Sequence, residues 1–253
     1  VDLLIDIGNT RLKWCLLEAD KITNISALIC TQQLNVHLIA AWNNLPQPHH
    51  IIISSVASTL ITDTVINVIS CCWNNSTPII ASVRANFRGL TIAYSNPYQF
   101  GVDRWLALLA TLKHGTGAAV VADCGTAVTI DVLNSANQHL GGLIIPGLKL
   151  LWNAIFNGTD ITPVGVPVTF DMLGQNTGEC IAAGAVQAIV GAIETTYIHL
   201  ASPTNSPRLL ITGGDAAIIS KRLSVPHLIV PELVFEGLSV LLADFTGEYI
   251  NVV

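Results

Sequence analysis

The sequence is poor in charge, in aromatics and in methionine: of 253 residues, 11% are Asp, Glu, Lys or Arg, 6% are aromatic and one is Met. Low charge beside 51% hydrophobic residues excludes a disordered chain, which needs the opposite balance. The 11 Lys and Arg against 17 Asp and Glu leave a formal charge of −6. Nothing there neutralises a nucleic-acid backbone, so nucleic acid is not expected as a partner, whereas a nucleotide needs only local donors. Long apolar runs are missing as well. The mean hydropathy is +0.58, yet Asp, Asn, Gly and Pro interrupt each run before the roughly 20 residues that cross a bilayer, so no membrane span is expected. The cysteines, at 15, 30, 71, 72, 124 and 180, form no Cys-x-x-Cys pair. That excludes a zinc knuckle and a disulfide framework, and predicts reduced, mostly buried thiols in a cytoplasmic protein. No basic segment with a cleavage site precedes VDLLID, so no signal peptide is expected. Such a chain calls for extensive burial, a subunit interface included.

What is present is a repeated pattern. LLIDI, RLKWCLLE and ITNISAL read as three strands joined by the turns GNT and ADK. Helical spacing follows over residues 34–43 and 58–72, with strands at HHIIISS and PIIAS. Gly101 opens a helix whose Trp105, Leu106, Leu108, Leu109 and Leu112 predict an apolar stripe. The meander then restarts as AAVVADC, AVTIDVL and QHLGGLII, followed by helices near 146–156 and 174–200, strands at LLITGG and HLIV, and a last helix over 233–244. Asp6 and Asp123 occupy the same place in the two meanders, 117 residues apart. Two such halves predict a duplicated α/β architecture with a boundary near 113–117, giving domains 1–115 and 116–253.

The chemistry-bearing residues cluster at the strand ends. In Asp6-Ile7-Gly8-Asn9-Thr10, with Lys13 beyond, a carboxylate and a glycine turn offer a metal ligand and backbone N–H groups for phosphate. One Asp-x-Gly at a hairpin is more often plain turn chemistry. The second copy, Asp123-Cys124-Gly125-Thr126, reverses those odds, because chance would have to act twice at equivalent positions. Asp103 and Arg104 open the Gly101 helix. Helix electrostatics and a surface ion pair would explain them; so would a general base and a bidentate fork for an anionic substrate.

The duplicated turns resemble the acetate and sugar kinase/Hsc70/actin superfamily, in which two facing turns clamp a nucleotide's phosphates between ribonuclease H-like domains. DIGNT, GVDRW, DCGTAVTID and GGLIIPG, in that order, make the chain similar over nearly its whole length to type III pantothenate kinase, also called the Bvg accessory factor family. The resemblance implies duplicated ribonuclease H-like domains of the actin/sugar-kinase type, each opening with a three-stranded meander. It also implies transfer of the ATP γ-phosphoryl group to the 4′-hydroxyl of pantothenate, the first step of coenzyme A biosynthesis. By the same resemblance Asp6, Ile7, Gly8, Asn9, Thr10, Arg11, Leu12 and Lys13 would carry ATP and Mg²⁺, with Thr126 adding a contact. Asp103 would be the proton acceptor, and Tyr94, Gly101, Val102, Asp103, Arg104 and Thr177 would bind substrate. Asp123 would hold a monovalent cation, K⁺ or NH₄⁺. A homodimer with Thr177 near the interface is implied too. Phe100 stands where a smaller aliphatic residue is common, and Asn176 where serine is.

The sequence leaves other readings open: a sugar kinase or phosphohydrolase of the same superfamily, or a regulator without catalysis. His49-His50 lacks a third ligand and reads as a loop pair. Gly213-Gly214-Asp215 fits an approach to adenosine and a helix-capping turn equally well. Gly141-Gly142 and Pro146-Gly147 either shape a strand end near substrate or are ordinary turns. Trp14, Trp42 and Trp73 read as core or interface.

Overall fold

The computed structural model describes residues 1–74, 76–162, 165, 171–202 and 206–247. The first meander forms as expected: β1 (Asp2–Ile7), β2 (Arg11–Glu18) and β3 (Lys21–Ile29). β2 turns into β3 at Ala19-Asp20, both left-handed (φ 46° and 63°), the two-residue turn whose twist suits a hairpin. Then come α1 (Leu34–Trp42), β4 (Ile51–Ser55), α2 (Thr59–Cys72), β5 (Ile79–Ile80), a small hairpin β6 (Asn86–Phe87) and β7 (Leu90–Thr91), and α3 (Val102–Ala110). The second half runs β8 (Ala119–Cys124), β9 (Ala127–Leu133), β10 (His139–Pro146), α4 (Leu148–Gly158), α5 (Thr177–Leu200), β11 (Arg208–Thr212), α6 (Ala216–Ser220), β12 (Leu228–Ile229) and α7 (Leu233–Thr246).

The two five-stranded sheets have one topology. Their orders are β3-β2-β1-β4-β5 and β10-β9-β8-β11-β12, each an antiparallel meander extended by two parallel strands. The chain divides into two compact units, one of Val1–Ala85, Tyr94–Gly115 and Glu232–Val253, the other of Asn86–Ala93 and Thr116–Pro231. A single cut into 1–115 and 116–253 misses both exchanges. The helix α7 belongs to the first unit because it packs on α3, where Gly237 lies so close to Leu106 O that a Cβ would overlap it. The β6–β7 hairpin belongs to the second unit. Neither exchange has a local sequence signal, and residues 248–253 of the expected second domain lie outside the described residues.

In the first unit Leu34, Leu38 and Trp42 of α1 recur on one face and meet Ile5, Ile51 and Ile53 of the sheet. Trp14 meets Trp42 edge-on at 5.9 Å, and Trp42 stacks on Trp73 at 5.7 Å, so the three indoles are core. The expected stripe on α3 is corrected: Val102 and all of Arg104–Ala110 are buried, because α7 and β4 both pack against this helix. Leu112 lies beyond α3 in a 3-10 turn and is partly exposed.

In the second unit α5 sends Val186, Ile189, Val190 and Ile193 against Val120, Ala122, Leu209 and Ile211. This helix also corrects the reading of short apolar runs. Its 24 residues have a window of mean hydropathy 1.4, long and apolar enough to cross a membrane by length and composition. Gly184 and Gly191 break the apolar pattern to the eye without breaking the helix. The same side chains fill the core of the second unit, so α5 reads as its central helix. All six cysteines are free thiols, but only Cys15 and Cys124 are buried; Cys71 and Cys180 are exposed, contrary to the expectation of mostly buried thiols.

Candidate functional site

Strand alternation sets the first turn. Ile5 and Ile7 are wholly buried on one side of β1, which turns Asp6 to the other, where it is partly exposed. Its ladder partners are Lys13 on β2 and Ser54 on β4. Gly8 N–H donates to Arg11 O at 3.0 Å, and a Cβ on Gly8 would stand 3.1 Å from that oxygen. Cys30 pins the turn to the end of β3, its N–H donating to Thr10 O at 3.0 Å and its thiol to Gly8 O at 3.6 Å. Asn9, Thr10 and Arg11 remain exposed. Burial pushes the Asp6 carboxyl up to about 6; Lys13 opposes this, the negative charge of Asp103 adds to it, and Ser54 pulls weakly downward. The Ser54 hydroxyl is buried, on the strand position that pairs with Asp6.

Asp103 stands at the start of α3. Gly101 caps the helix, and Asp103 Oδ1 accepts the Arg104 N–H at 2.8 Å. A Cβ on Gly101 would stand 2.6 Å from Asp103 Oδ1, so glycine leaves the carboxylate its place. Arg104 is 7% exposed, not on the surface as an ion-pair reading required. Its Nη1 donates to Tyr94 Oη at 3.2 Å, and its guanidinium lies 4.5 Å over the Phe100 ring and 5.9 Å from the Tyr94 ring. Those rings meet edge to face at 4.9 Å. Phe100, noted in the sequence only as a departure, is thus the floor under the guanidinium. Asn96 shapes the approach, its Oδ1 accepting Tyr98 N–H at 3.1 Å to cap a short 3-10 turn over Pro97–Gln99.

The second turn belongs to the second unit and is built differently. Asp123 faces Thr129 on β9 and Thr212 on β11. Gly125 N–H donates to Ala127 O at 3.2 Å, and Gly147 N–H to Thr126 O at 3.0 Å. Gly147 packs so tightly on this turn that a Cβ would overlap Gly125 O. It is therefore required by close approach, which decides a position the sequence left open. Gly213 (φ 95°) lies against Asp123, a Cβ there standing 2.5 Å from Oδ1, and Asp215 N–H donates to Cys124 O at 2.9 Å. The Gly213–Asp215 turn thus docks on the Asp123 strand end, with Asp215 at the N-cap position of α6. Burial pushes the Cys124 thiol up to about 12, with the charges of Asp123 and Asp215 adding to it.

Thr177 is the exposed first residue of α5. Asn176 Oδ1 accepts Glu179 N–H at 3.0 Å and Glu179 Oε2 accepts Gln175 N–H at 2.8 Å, so asparagine supplies the cap that serine would. The first unit therefore gathers the Asp6–Lys13 turn, Tyr94 and Gly101–Arg104, while the second holds Asp123, Thr126 and Thr177. Among the described residues no three His, Cys, Asp or Glu converge as a metal site. His50 instead pairs with Asp2, Nδ1 to Oδ1 at 2.9 Å.

Similarity to known proteins converges on one family. The model for type III pantothenate kinase matches residues 2–199. The chain is 34% identical over 238 residues to the type III pantothenate kinase of Dichelobacter nodosus, covering 93% of this chain and 95% of that one. It is 34% identical over 252 residues to that of Nitrosomonas eutropha, covering 98% and 96%. Among solved structures, a Baf family protein from Campylobacter jejuni matches with TM-score 0.61 and 21% identity over 97% of this chain and 99% of that one. A Sinorhizobium meliloti protein named for 2-dehydro-3-deoxygalactonokinase matches with TM-score 0.55 and 14% identity over the same shares. At those identities the structures speak for the fold alone, the duplicated ribonuclease H-like architecture of the actin/sugar-kinase type. With a family model over most of its length and full-length relatives above 30% identity, the chain belongs to the type III pantothenate kinase family.

Proposed function

We propose that this chain phosphorylates the 4′-hydroxyl of pantothenate with ATP, the first step of coenzyme A biosynthesis, using Asp103 as general base. Family membership makes it a pantothenate kinase and ATP its phosphoryl donor. The observation that carries the assignment of roles is geometric: at the start of α3, Asp103 stands in the space Gly101 leaves it, beside an Arg104 buried between Tyr94 and Phe100.

In phosphoryl transfer the substrate oxygen bonds to the γ-phosphorus as the bond to the β-γ bridging oxygen breaks, and the hydroxyl proton goes to a base. Asp103 is that base in this reading, held at the start of α3 where its Oδ1 accepts the Arg104 N–H. Arg104, fixed between Tyr94 and Phe100, takes the pantothenate carboxylate, with Tyr94, Gly101, Val102 and Thr177 completing the substrate site. The exposed Asn9, Thr10 and Arg11, with Gly8 and Lys13, bind the ATP phosphates, and Thr126 adds a contact. Ile7 and Leu12 are wholly buried and serve through backbone and shape. Asp6 would hold Mg²⁺, which would supply positive charge against the phosphates. Asp123, flanked by Thr129 and Thr212, would hold K⁺ or NH₄⁺.

The protein acts in the cytoplasm as a homodimer in this reading. Exposed Leu143 and Ile144 on β10 and Leu150 and Ile155 on α4 are apolar surface of the kind a second copy covers. ADP release measured with pantothenate against a panel of sugars and acids tests the substrate. Turnover with pantothenate is expected; turnover with a sugar alone would make the chain another kinase of the fold, and none at all would make it a regulator.

A further inference from the structure

Arg104 carries its charge into the interior of the first unit, where the residue is 7% exposed. A buried guanidinium is costly unless protein groups replace the water it has lost. The aromatic groups that do so come from the same stretch of chain, Tyr94 to Arg104, all of it within the first unit. Helical side chains lean toward the N-terminus of their helix, and Arg104 lies in the first turn of α3. Its stem therefore runs back past Gly101, where a Cβ would stand 3.6 Å from Arg104 Cδ and 3.8 Å from Cγ. That direction carries the guanidinium over the ring of Phe100, 4.5 Å from its centroid.

The backbone of Phe100 is fixed from both sides. Before it, Asn96 caps the 3-10 turn over Pro97–Gln99, and Pro97 O accepts the Phe100 N–H at 3.0 Å. After it, Gly101 caps α3, and its carbonyl accepts the Trp105 N–H at 3.0 Å. The Phe100 ring is 3% exposed and braced edge to face by Tyr94 at 4.9 Å. The two aromatics act on the cation differently. Tyr94 Oη accepts a bond from Nη1 and so occupies one of the in-plane donors. A ring over the guanidinium face takes none of them; it limits how the plane can turn and leaves each donor its direction. A fork held in one plane suits a carboxylate, which accepts two parallel N–H bonds in that plane.

We propose that Phe100 is a specificity-determining residue of the substrate site: its ring holds the plane of the Arg104 guanidinium and thereby selects an acceptor that carries a carboxylate. The inference rests on the proposed role of Arg104 toward the pantothenate carboxylate, while the hold of Phe100 on Arg104 does not. Phe100 acts through Arg104, as a positioning residue, and no bond from it to substrate is required.

Phe100→Leu and Phe100→Met remove the ring and keep apolar bulk, whereas Phe100→Tyr keeps the ring. The order of the Arg104 side chain is read in the ligand-free protein from nitrogen relaxation at Nε. Selection is read from KM for pantothenate against the inhibition constant of its primary amide, which has the same hydroxyl and no carboxylate. In Phe100→Leu the Nε order parameter is expected to fall, and KM for pantothenate to rise about tenfold while the amide constant and KM for ATP stay within about twofold. Phe100→Met should behave alike and decides the matter should Phe100→Leu fail to fold. Phe100→Tyr should keep both the order and the pantothenate KM of the original chain. An Arg104 as ordered in the folded ring-less variants as in the original chain overturns the hold, whatever the substrate. Lost order with an unmoved pantothenate KM, or equal rises for acid and amide, overturns the selection. A folded Phe100→Tyr as impaired as Phe100→Leu would assign the effect to packing and overturn it too. Failure of the original chain to phosphorylate pantothenate would count against the proposed function and take the selection with it, and the relaxation measurement would still decide the hold.

Discussion

The two meanders are copies in topology, and they differ at their turns. In both, the penultimate residue of the first strand is a partly exposed aspartate, Asp6 or Asp123, paired antiparallel to the second strand and parallel to the fourth. The first turn has three residues between its strands, Gly8, Asn9 and Thr10; the second has two, Gly125 and Thr126. Asp6 faces a lysine and a serine, Asp123 two threonines. The longer turn beside a cation suits phosphate; a carboxylate among hydroxyl oxygens suits a hard cation. Duplication supplies the frame, and the ladder partners are where the two copies differ.

The largest break in symmetry should come from Asp103, which has no counterpart among the roles assigned to the second unit. Asp103→Asn is expected to lower kcat about 10²- to 10⁴-fold with KM for ATP little changed, measured by steady-state ADP release. Full activity would remove the general base from the first unit.

Next come the glycines that hold the two turns. Gly147→Ala drives a Cβ into Gly125 O, so a loss on the order of 2–4 kcal/mol is expected in denaturant unfolding. Gly8→Ala meets Arg11 O at 3.1 Å, which a small shift relieves, and should cost less than about 1 kcal/mol. Equal losses would mean that the turns are held alike.

The smallest effect is on pH dependence. Burial first, with Asp103 adding, raises Asp6 from 3.8 to about 6 in the folded chain. Between those values the native state binds more protons than the unfolded one, so this group's contribution to stability is full below about 4 and lost as pH rises through about 6. Asp6→Asn should therefore raise Tm of the ligand-free protein at pH 8 and not at pH 4. The gain is at most about 3 kcal/mol, less whatever water at the partly exposed carboxylate already recovers. A Tm difference independent of pH would contradict the shift.

Much of this was legible beforehand. Alternating runs and GNT or GT turns predict both meanders, and the order of four short motifs carries the family. What the sequence hid involves approaches between residues far apart in the chain. Nothing near Gly237 says that α7 closes on Leu106, so the C-terminal helix falls on the wrong side of a linear domain cut. Gly147 looks like any glycine after a proline until Gly125 O is found against it. Phe100 and Ser54 carry no chemistry of their own, and they matter because Arg104 and Asp6 sit on them.

The division of labour between the two turns is tested most directly by titrating Mg²⁺ and K⁺ against pantothenate kinase activity in the original chain, Asp6→Asn and Asp123→Asn. Asp6→Asn is expected to shift the Mg²⁺ requirement alone and Asp123→Asn the K⁺ requirement alone. Both variants shifting the same ion, or Asp123→Asn leaving the K⁺ response intact, would contradict that division.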